Sequence, residues 1–233
     1  MADTNLAPRR DALAFDLDGT LIDSAPDIAA ALNRLMAELD RPDLDLPEVR
    51  RMIGDGAGTL VERALVARSV AHRPEELGSY LGRFLAHYEA DPIRLTRPYP
   101  GVPETLIQLH AAGFRLAICT NKPQRATDMI LAALELTQFF GAVLSADAVE
   151  NRKPHPDHLE AALTAIDATP DRAVMIGDST NDVLPARALA VPSIVMAYGY
   201  GRAPLNALGA DLILEDFAAL PDALLRIDKR SRG

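Results

Sequence analysis

The sequence has a single cysteine, Cys119, among 233 residues. That excludes an intrachain disulfide and any zinc site built from several thiolates. It has no excess of positive charge: 24 Lys and Arg stand against 33 Asp and Glu, a net of −9. A protein that reads nucleic acid through phosphates needs a basic face, so no nucleic-acid partner is expected. The only basic clusters, Arg9-Arg10 and Lys229 to Arg232, lie at the two ends, where solvated side chains are the simplest expectation. No stretch approaches the roughly 18 uninterrupted apolar residues of a membrane span. The segment Met1 to Asp11 lacks the apolar region of a secretory leader, so a cytoplasmic placement without membrane contact is expected. With 14 glycines and 17 prolines, the chain is also not of low complexity.

What is present is a rhythm. Short apolar runs recur at Ala12–Phe15, Phe114–Cys119, Gly141–Leu144, Ala173–Ile176, Pro192–Met196 and Asp211–Leu214. Such runs, without alternation, suit strands buried on both faces of a parallel sheet. Amphipathic stretches at Pro103–Ala112, Gln124–Leu136, Asp157–Ile166 and Asp182–Ala190 fill the gaps between them. Strand–helix alternation implies right-handed crossovers and an α/β class, a doubly wound (Rossmann-like) parallel sheet. One gap is too long. Strand one ends near Phe15 and the next begins near Phe114, although a crossover needs only about 30 residues. The intervening sequence reads as helical. Ser24-Ala-Pro-Asp27 has the form of a capping box and opens a helix striped by Ile28, Leu32, Leu35, Met36 and Leu39. A second helix over 47–68 is interrupted by glycines 54, 56 and 58, and a third carries Leu77, Tyr80, Leu81, Phe84, Leu85 and Tyr88. The expected organisation is a core of residues 1–19 and 99–233 with an α-helical cap inserted over 20–98.

In an open α/β sheet, ligands bind beyond the carboxyl ends of the strands. After strand one comes Asp16-Leu-Asp18-Gly-Thr20; residues i and i+2 of an extended segment share a side, so the two acids converge. Thr120-Asn121-Lys122 follow the second core strand and offer donors for oxyanions. Lys153 stands ahead of a helix, and Gly177-Asp178-Ser-Thr-Asn-Asp182 adds two further acids. Hard oxygen donors select Mg²⁺, which is bound through one or two carboxylates plus substrate phosphate oxygens. A carboxylate beside such an ion can attack phosphorus, and a second can move the proton. These residues therefore point to Mg²⁺-dependent phosphoryl transfer.

These four segments, in this order, resemble the motifs of the haloacid dehalogenase superfamily over almost the whole chain. The resemblance implies Asp16 as nucleophile, Asp18 as general acid and base, and Thr120 and Lys153 on the phosphate. It implies Mg²⁺ held by the Asp16 and Asp178 side chains and the Asp18 carbonyl, with Asp182 supporting that site. Dehalogenase members lack an acid at the position of Asp18, so the resemblance implies a phosphatase or mutase that acts on a small phosphorylated metabolite. Within the superfamily, Arg50 to Leu65, Asn151 to Pro156 and Thr120 to Pro123 are similar to the phosphoglycolate phosphatases. Gly54 and Gly56 would then approach the substrate with bare backbone N–H groups, and Asn121 would bind it. Two positions depart from the subgroup: Asp55, where a neutral residue is usual, and Ala190, where glycine is. Pyrophosphate or sugar phosphates are the alternative substrates, and a non-catalytic phospho-acceptor is the alternative outside enzymes. A monomer or a homodimer is expected.

The remaining conspicuous residues have plain readings. Gly54 to Gly58 follows no strand, so it is not a dinucleotide fingerprint. His155 and His158, without a third ligand, suit the surface of a helix start. Lys122 is read as an oxyanion donor or a solvated helix-start residue, and Arg63 as a carboxylate clamp or a solvated helix residue. Cys119 is expected to pack in its strand, and Tyr80, Phe84 and Tyr88 to form a packing stripe in the cap.

Overall fold

The structure is a computed structural model that describes residues 10–230. Its main sheet has six strands, all parallel: β1 (Ala12–Phe15), β4 (Arg115–Cys119), β5 (Ala142–Leu144), β6 (Ala173–Gly177), β7 (Ser193–Met196) and β8 (Leu212–Leu214). Their order is β5-β4-β1-β6-β7-β8. Successive strands therefore run outward from β1 in both directions, which creates a topological switch point at its carboxyl end. The crossover helices are α5 (Val102–Ala111), α6 (Gln124–Ala133), α7 (Pro156–Thr164), α8 (Thr180–Ala188) and the short α9 (Leu205–Leu208); α10 (Leu220–Arg230) closes the fold.

The strand pleat sorts side chains by size. Ala12, Ala14, Ala117, Cys119 and Ala173 point to one face, together with Met175, and let α7 and α8 approach closely. Leu13, Phe15, Leu116, Ile118, Val174 and Ile176 fill the other face, against a cluster that includes Phe217 and Phe140. Cys119 is fully buried, and burial pushes its thiol up to about 12, so it packs and does not react.

Between β2 (Ile22–Asp23) and β3 (Arg97–Pro98) the chain forms a helical layer of α1 (Ala25–Glu38), α2 (Leu46–Arg50), α3 (Ala57–Ala67) and α4 (Leu77–Ala90). The glycine interruption separates α2 from α3, and α1 packs along α4. β2 and β3 pair antiparallel, a two-residue ribbon that the sequence did not announce.

Three expectations are corrected. Ser24 does not cap α1: its backbone is already helical and its hydroxyl donates to Asp18. The Asp27 carboxylate instead accepts the Leu95 and Thr96 N–H groups and the Thr96 hydroxyl, tying the start of α1 to the returning chain. Arg10 is not solvated; it is buried and pairs with Asp228 at 3.3 Å. The other clustered basic positions, Arg9 and the side chains of residues 229–232, lie outside the described residues. His158 is fully buried instead of lying on a surface, for a reason given below. No helix among the described residues is long and apolar enough to cross a membrane.

Candidate active site

The chain leaves β1 and turns within a few residues. Leu21 and Ile22 both donate backbone N–H groups to the Leu17 carbonyl, and Gly19 sits at φ +84°. A Cβ on Gly19 would lie 2.3 Å from the Asp178 carboxylate, so only glycine permits this turn against β6. The result places Asp16 and Asp18 at the switch point, facing the ends of β4 and β6.

Asp16, Asp178 and Asp182 are buried, and one carboxylate oxygen of each falls within 4.8 Å of the others. Lys153 lies between two of them, 3.1 Å from Asp16 and 2.6 Å from Asp182. Burial, with Asp182 and Asp18 nearby, outweighs Lys153 and pushes the Asp16 carboxyl up to about 6. Asp178 is raised still more firmly, first by burial and then by Asp182 and Asp16. Three buried acids with one lysine form an oxygen-rich, under-neutralised cluster, a donor set that fits a hard divalent cation.

The acids are not equivalent. Asp182 spends one oxygen on Lys153 and the other on the N–H groups of Asp178 and Ser179 and the Ser179 hydroxyl. It closes the capping box of α8 and holds the loop that presents Asp178. Asp178 accepts the Tyr200 N–H, and Gly199 and Gly201 let that loop pass against it.

Thr120 is buried at the end of β4. Lys122 is buried as well, so its reading as a solvated residue is corrected: Nζ contacts both Asp18 oxygens at 2.9 and 3.1 Å and the Tyr88 hydroxyl at 2.7 Å. Tyr88 thus does more than pack; it reaches from α4 to the catalytic edge. Asn121 donates its amide to the carbonyls of Gly54 and Lys153, at 3.0 and 2.9 Å. The Asn121 amide ties the glycine loop to the sheet, and the residue lines the same cavity as Asp16. Gly54 and Gly56 line the cavity above Asp16 and Asp18.

Arg63 clamps a carboxylate of its own chain. It holds Asp55 together with Arg202 and Asn181, and donates to the Met52 carbonyl. Burial alone would raise the Asp55 carboxyl, but hydrogen bonds from Arg202, Asn181 and Arg63 hold it at about 2. The acid is therefore matched by two arginines and adds no unpaired negative charge to the glycine loop. His158 is drawn inward because Nδ1 accepts the Lys153 N–H at 3.2 Å and Nε2 meets the Leu144 carbonyl at 3.1 Å. It braces the backbone of Lys153.

Sequence reasoning missed Tyr200, Arg202 and the bridging role of Asn181. Glycines on both sides of Tyr200, just past β7, were the available signal.

A switch-point carboxylate pair with a buried lysine and a helical layer over it defines a class of hydrolytic enzymes. The chain belongs to the haloacid dehalogenase-like hydrolase family, whose profile matches residues 13–196. It is 41% identical over 215 residues to a phosphoglycolate phosphatase of Caulobacter vibrioides, covering 92% of this chain and 91% of that one. A phosphoglycolate phosphatase of Rhodospirillum rubrum is 43% identical over 217 residues, with 91% and 90% covered. Among solved structures, a predicted phosphoglycolate phosphatase from Haemophilus somnus superposes with a TM-score of 0.87 at 30% identity, covering 92% of this chain and 98% of that one.

Proposed function

We propose that this protein is a Mg²⁺-dependent phosphatase that converts 2-phosphoglycolate to glycolate and phosphate through an aspartyl-phosphate. The observation that carries this reading is the pairing of Asp16 and Asp18 beneath a small, roofed cavity, with Lys153 held against the first acid. The named relatives, similar over nine-tenths of the chain, support the choice of substrate.

Asp16 is the nucleophile. Its Oδ1 is fixed by the Leu17 N–H at 2.7 Å and by Lys153, which leaves Oδ2 to attack phosphorus. As the Asp16 O–P bond forms and the ester P–O bond breaks, Asp18 gives its proton to the departing glycolate oxygen. Asp18 then takes a proton from water as the water oxygen bonds to phosphorus and the Asp16 O–P bond breaks. Lys153 and Thr120 hold charge on the transferring oxygens. The Asp16 and Asp178 carboxylates and the Asp18 carbonyl would hold Mg²⁺, with Asp182 in support; the ion supplies positive charge that lets an acid approach an anionic phosphate. Residues 20–98 act as a lid over a core formed by 1–19 and 99–233, excluding bulk water from the first step.

Phosphate release from a panel of 2-phosphoglycolate, pyrophosphate and sugar phosphates tests this. The highest kcat/KM is expected on 2-phosphoglycolate, with EDTA abolishing turnover and Mg²⁺ restoring it. Asp16→Asn should lower kcat by several orders of magnitude. A panel led by pyrophosphate or a sugar phosphate overturns the substrate, and an active Asp16→Asn variant overturns the covalent mechanism.

A further inference from the structure

The cavity above Asp16 and Asp18 has a volume of about 50 Å³. That is space for a small group only, since one water takes up about 30 Å³ of liquid. The part of 2-phosphoglycolate beyond its ester oxygen comprises one methylene, one carbon and two oxygens. A small cavity goes with a small leaving group, but size does not supply a partner for its negative charge. The roof is apolar, with Ile28, Ile53, Leu60 and Phe84 facing inward, and an unpaired carboxylate there would be strongly disfavoured.

Among the described residues that line this cavity, Lys122 is the only one with a positive charge. Of the other cations nearby, Arg63 and Arg202 hold Asp55 and Lys153 bridges Asp16 and Asp182, while the Arg152 guanidinium packs beside Gly56 without lining the cavity. Lys122 lies against Asp18, the acid that must meet the ester oxygen. In 2-phosphoglycolate the carboxylate carbon is only two bonds from that oxygen. A cation touching Asp18 therefore lies within reach of the carboxylate when the ester oxygen is in place. Tyr88 steadies this cation from the cap side, accepting a hydrogen bond at 2.7 Å with its ring centre 4.8 Å from Nζ.

We propose that Lys122 is the residue that recognises the carboxylate of the substrate and sets the preference for acidic leaving groups. The inference rests on the phosphatase reading above and goes beyond it by naming the specificity residue. On binding, the ammonium exchanges its contact with Asp18 for one with the substrate carboxylate, which releases Asp18 to face the ester oxygen. Tyr88 carries the cap side of this contact, so closure of the helical layer and recognition of the acid are one event.

The test compares kcat/KM for 2-phosphoglycolate and ethyl phosphate, which has a methyl group where the first has a carboxylate, in the Mg²⁺-supplemented enzyme. Wild type is expected to favour 2-phosphoglycolate. Lys122→Met should lower that preference by roughly 10- to 150-fold, mainly through KM, and Lys122→Arg should retain more of it. If Lys122→Met slows both substrates equally and leaves their ratio unchanged, Lys122 serves Asp18 alone and the proposal falls. A measurement on unaltered protein guards against variants that do not fold: glycolate should inhibit at least about 10-fold more tightly than neutral glycolamide. Equal inhibition overturns the proposal. A wild type that prefers ethyl phosphate overturns the substrate reading itself, whereas a wild type that prefers 2-phosphoglycolate with an unchanged ratio in Lys122→Met overturns only the role of Lys122.

Discussion

His158 shows how a buried side chain braces its neighbour at the site, the backbone of Lys153. With Nδ1 accepting from Lys153 and Nε2 donating to Leu144, the ring is neutral and both nitrogens are used. Burial, and then the charge of Lys153, bring it down to about 4. The unfolded chain binds this proton near pH 6.5 and the folded one only near 4, so stability is fully present above 6.5 and is lost as pH falls through that window. The loss reaches roughly 3 kcal/mol for this group. Unfolding of wild type and His158→Gln in urea at pH 7, 5.5 and 4.5 should show a shallower decline in the variant. Identical slopes would mean that another group carries the acid sensitivity. The placement of His158 was not legible in the sequence, where two histidines three residues apart at a helix start look like surface. Only the fold reveals that the second faces β5 and the Lys153 backbone.

The end of α8 makes the opposite case, in which sequence already pointed at the strain. Ala190 follows the last turn of the helix and adopts φ +53°, in the left-handed region that glycine fills without penalty. Its N–H reaches back to the Arg187 carbonyl, so the cap forms in spite of the side chain. Ala190→Gly should raise stability by up to about 1 kcal/mol, because relief of the left-handed strain exceeds the added freedom of the unfolded chain. The midpoint of thermal unfolding measures this, with kcat unaltered. Strands and the crossover helices α5 to α8 were similarly legible, since burial on both faces imposes unbroken apolar runs such as Ala173–Gly177, whereas the one-turn α9 was not. β2 and β3 were not, because two residues carry no periodicity to read.

Helical layer and sheet meet through polar links placed around the reaction centre. Tyr88 meets Lys122, Gly54 accepts from Asn121 and Asn181, and Asp55 joins Arg202 and Asn181. The motifs predicted the sheet side of each link, because loop ends after buried strands are where chemistry collects. They left the cap side open, since contacts between segments 34 to 147 residues apart depend on how two layers settle. Asp55 is the most informative of these. It departs from the subgroup, where a neutral residue is usual, and it fastens the glycine loop to the sheet. Asp55→Ala should loosen that loop by roughly 1–2 kcal/mol, or about 5- to 30-fold in local opening. Hydrogen exchange of segment 51–57 measures the change, and added salt should narrow the difference between variant and wild type. Unchanged exchange would show that Asn121 and Asn181 suffice to hold Gly54.

The two-residue ribbon of β2 and β3 has a further consequence. Ile22 lies opposite Pro98 and Asp23 opposite Arg97, so the chain departs from the sheet and comes back at the same spot. All six sheet strands and their crossovers lie outside that excursion. A two-residue turn could join the ribbon directly, and the remaining polypeptide would keep its wiring. The helical layer is thus a cassette: it can be excised or grafted without rerouting the sheet. Asp16 and Asp18 would stay behind, while Tyr88 and the glycine loop would leave. A chain built this way separates the power to cleave a phosphate ester from the choice of which ester to cleave, and the second can be rewritten while the first is inherited unchanged.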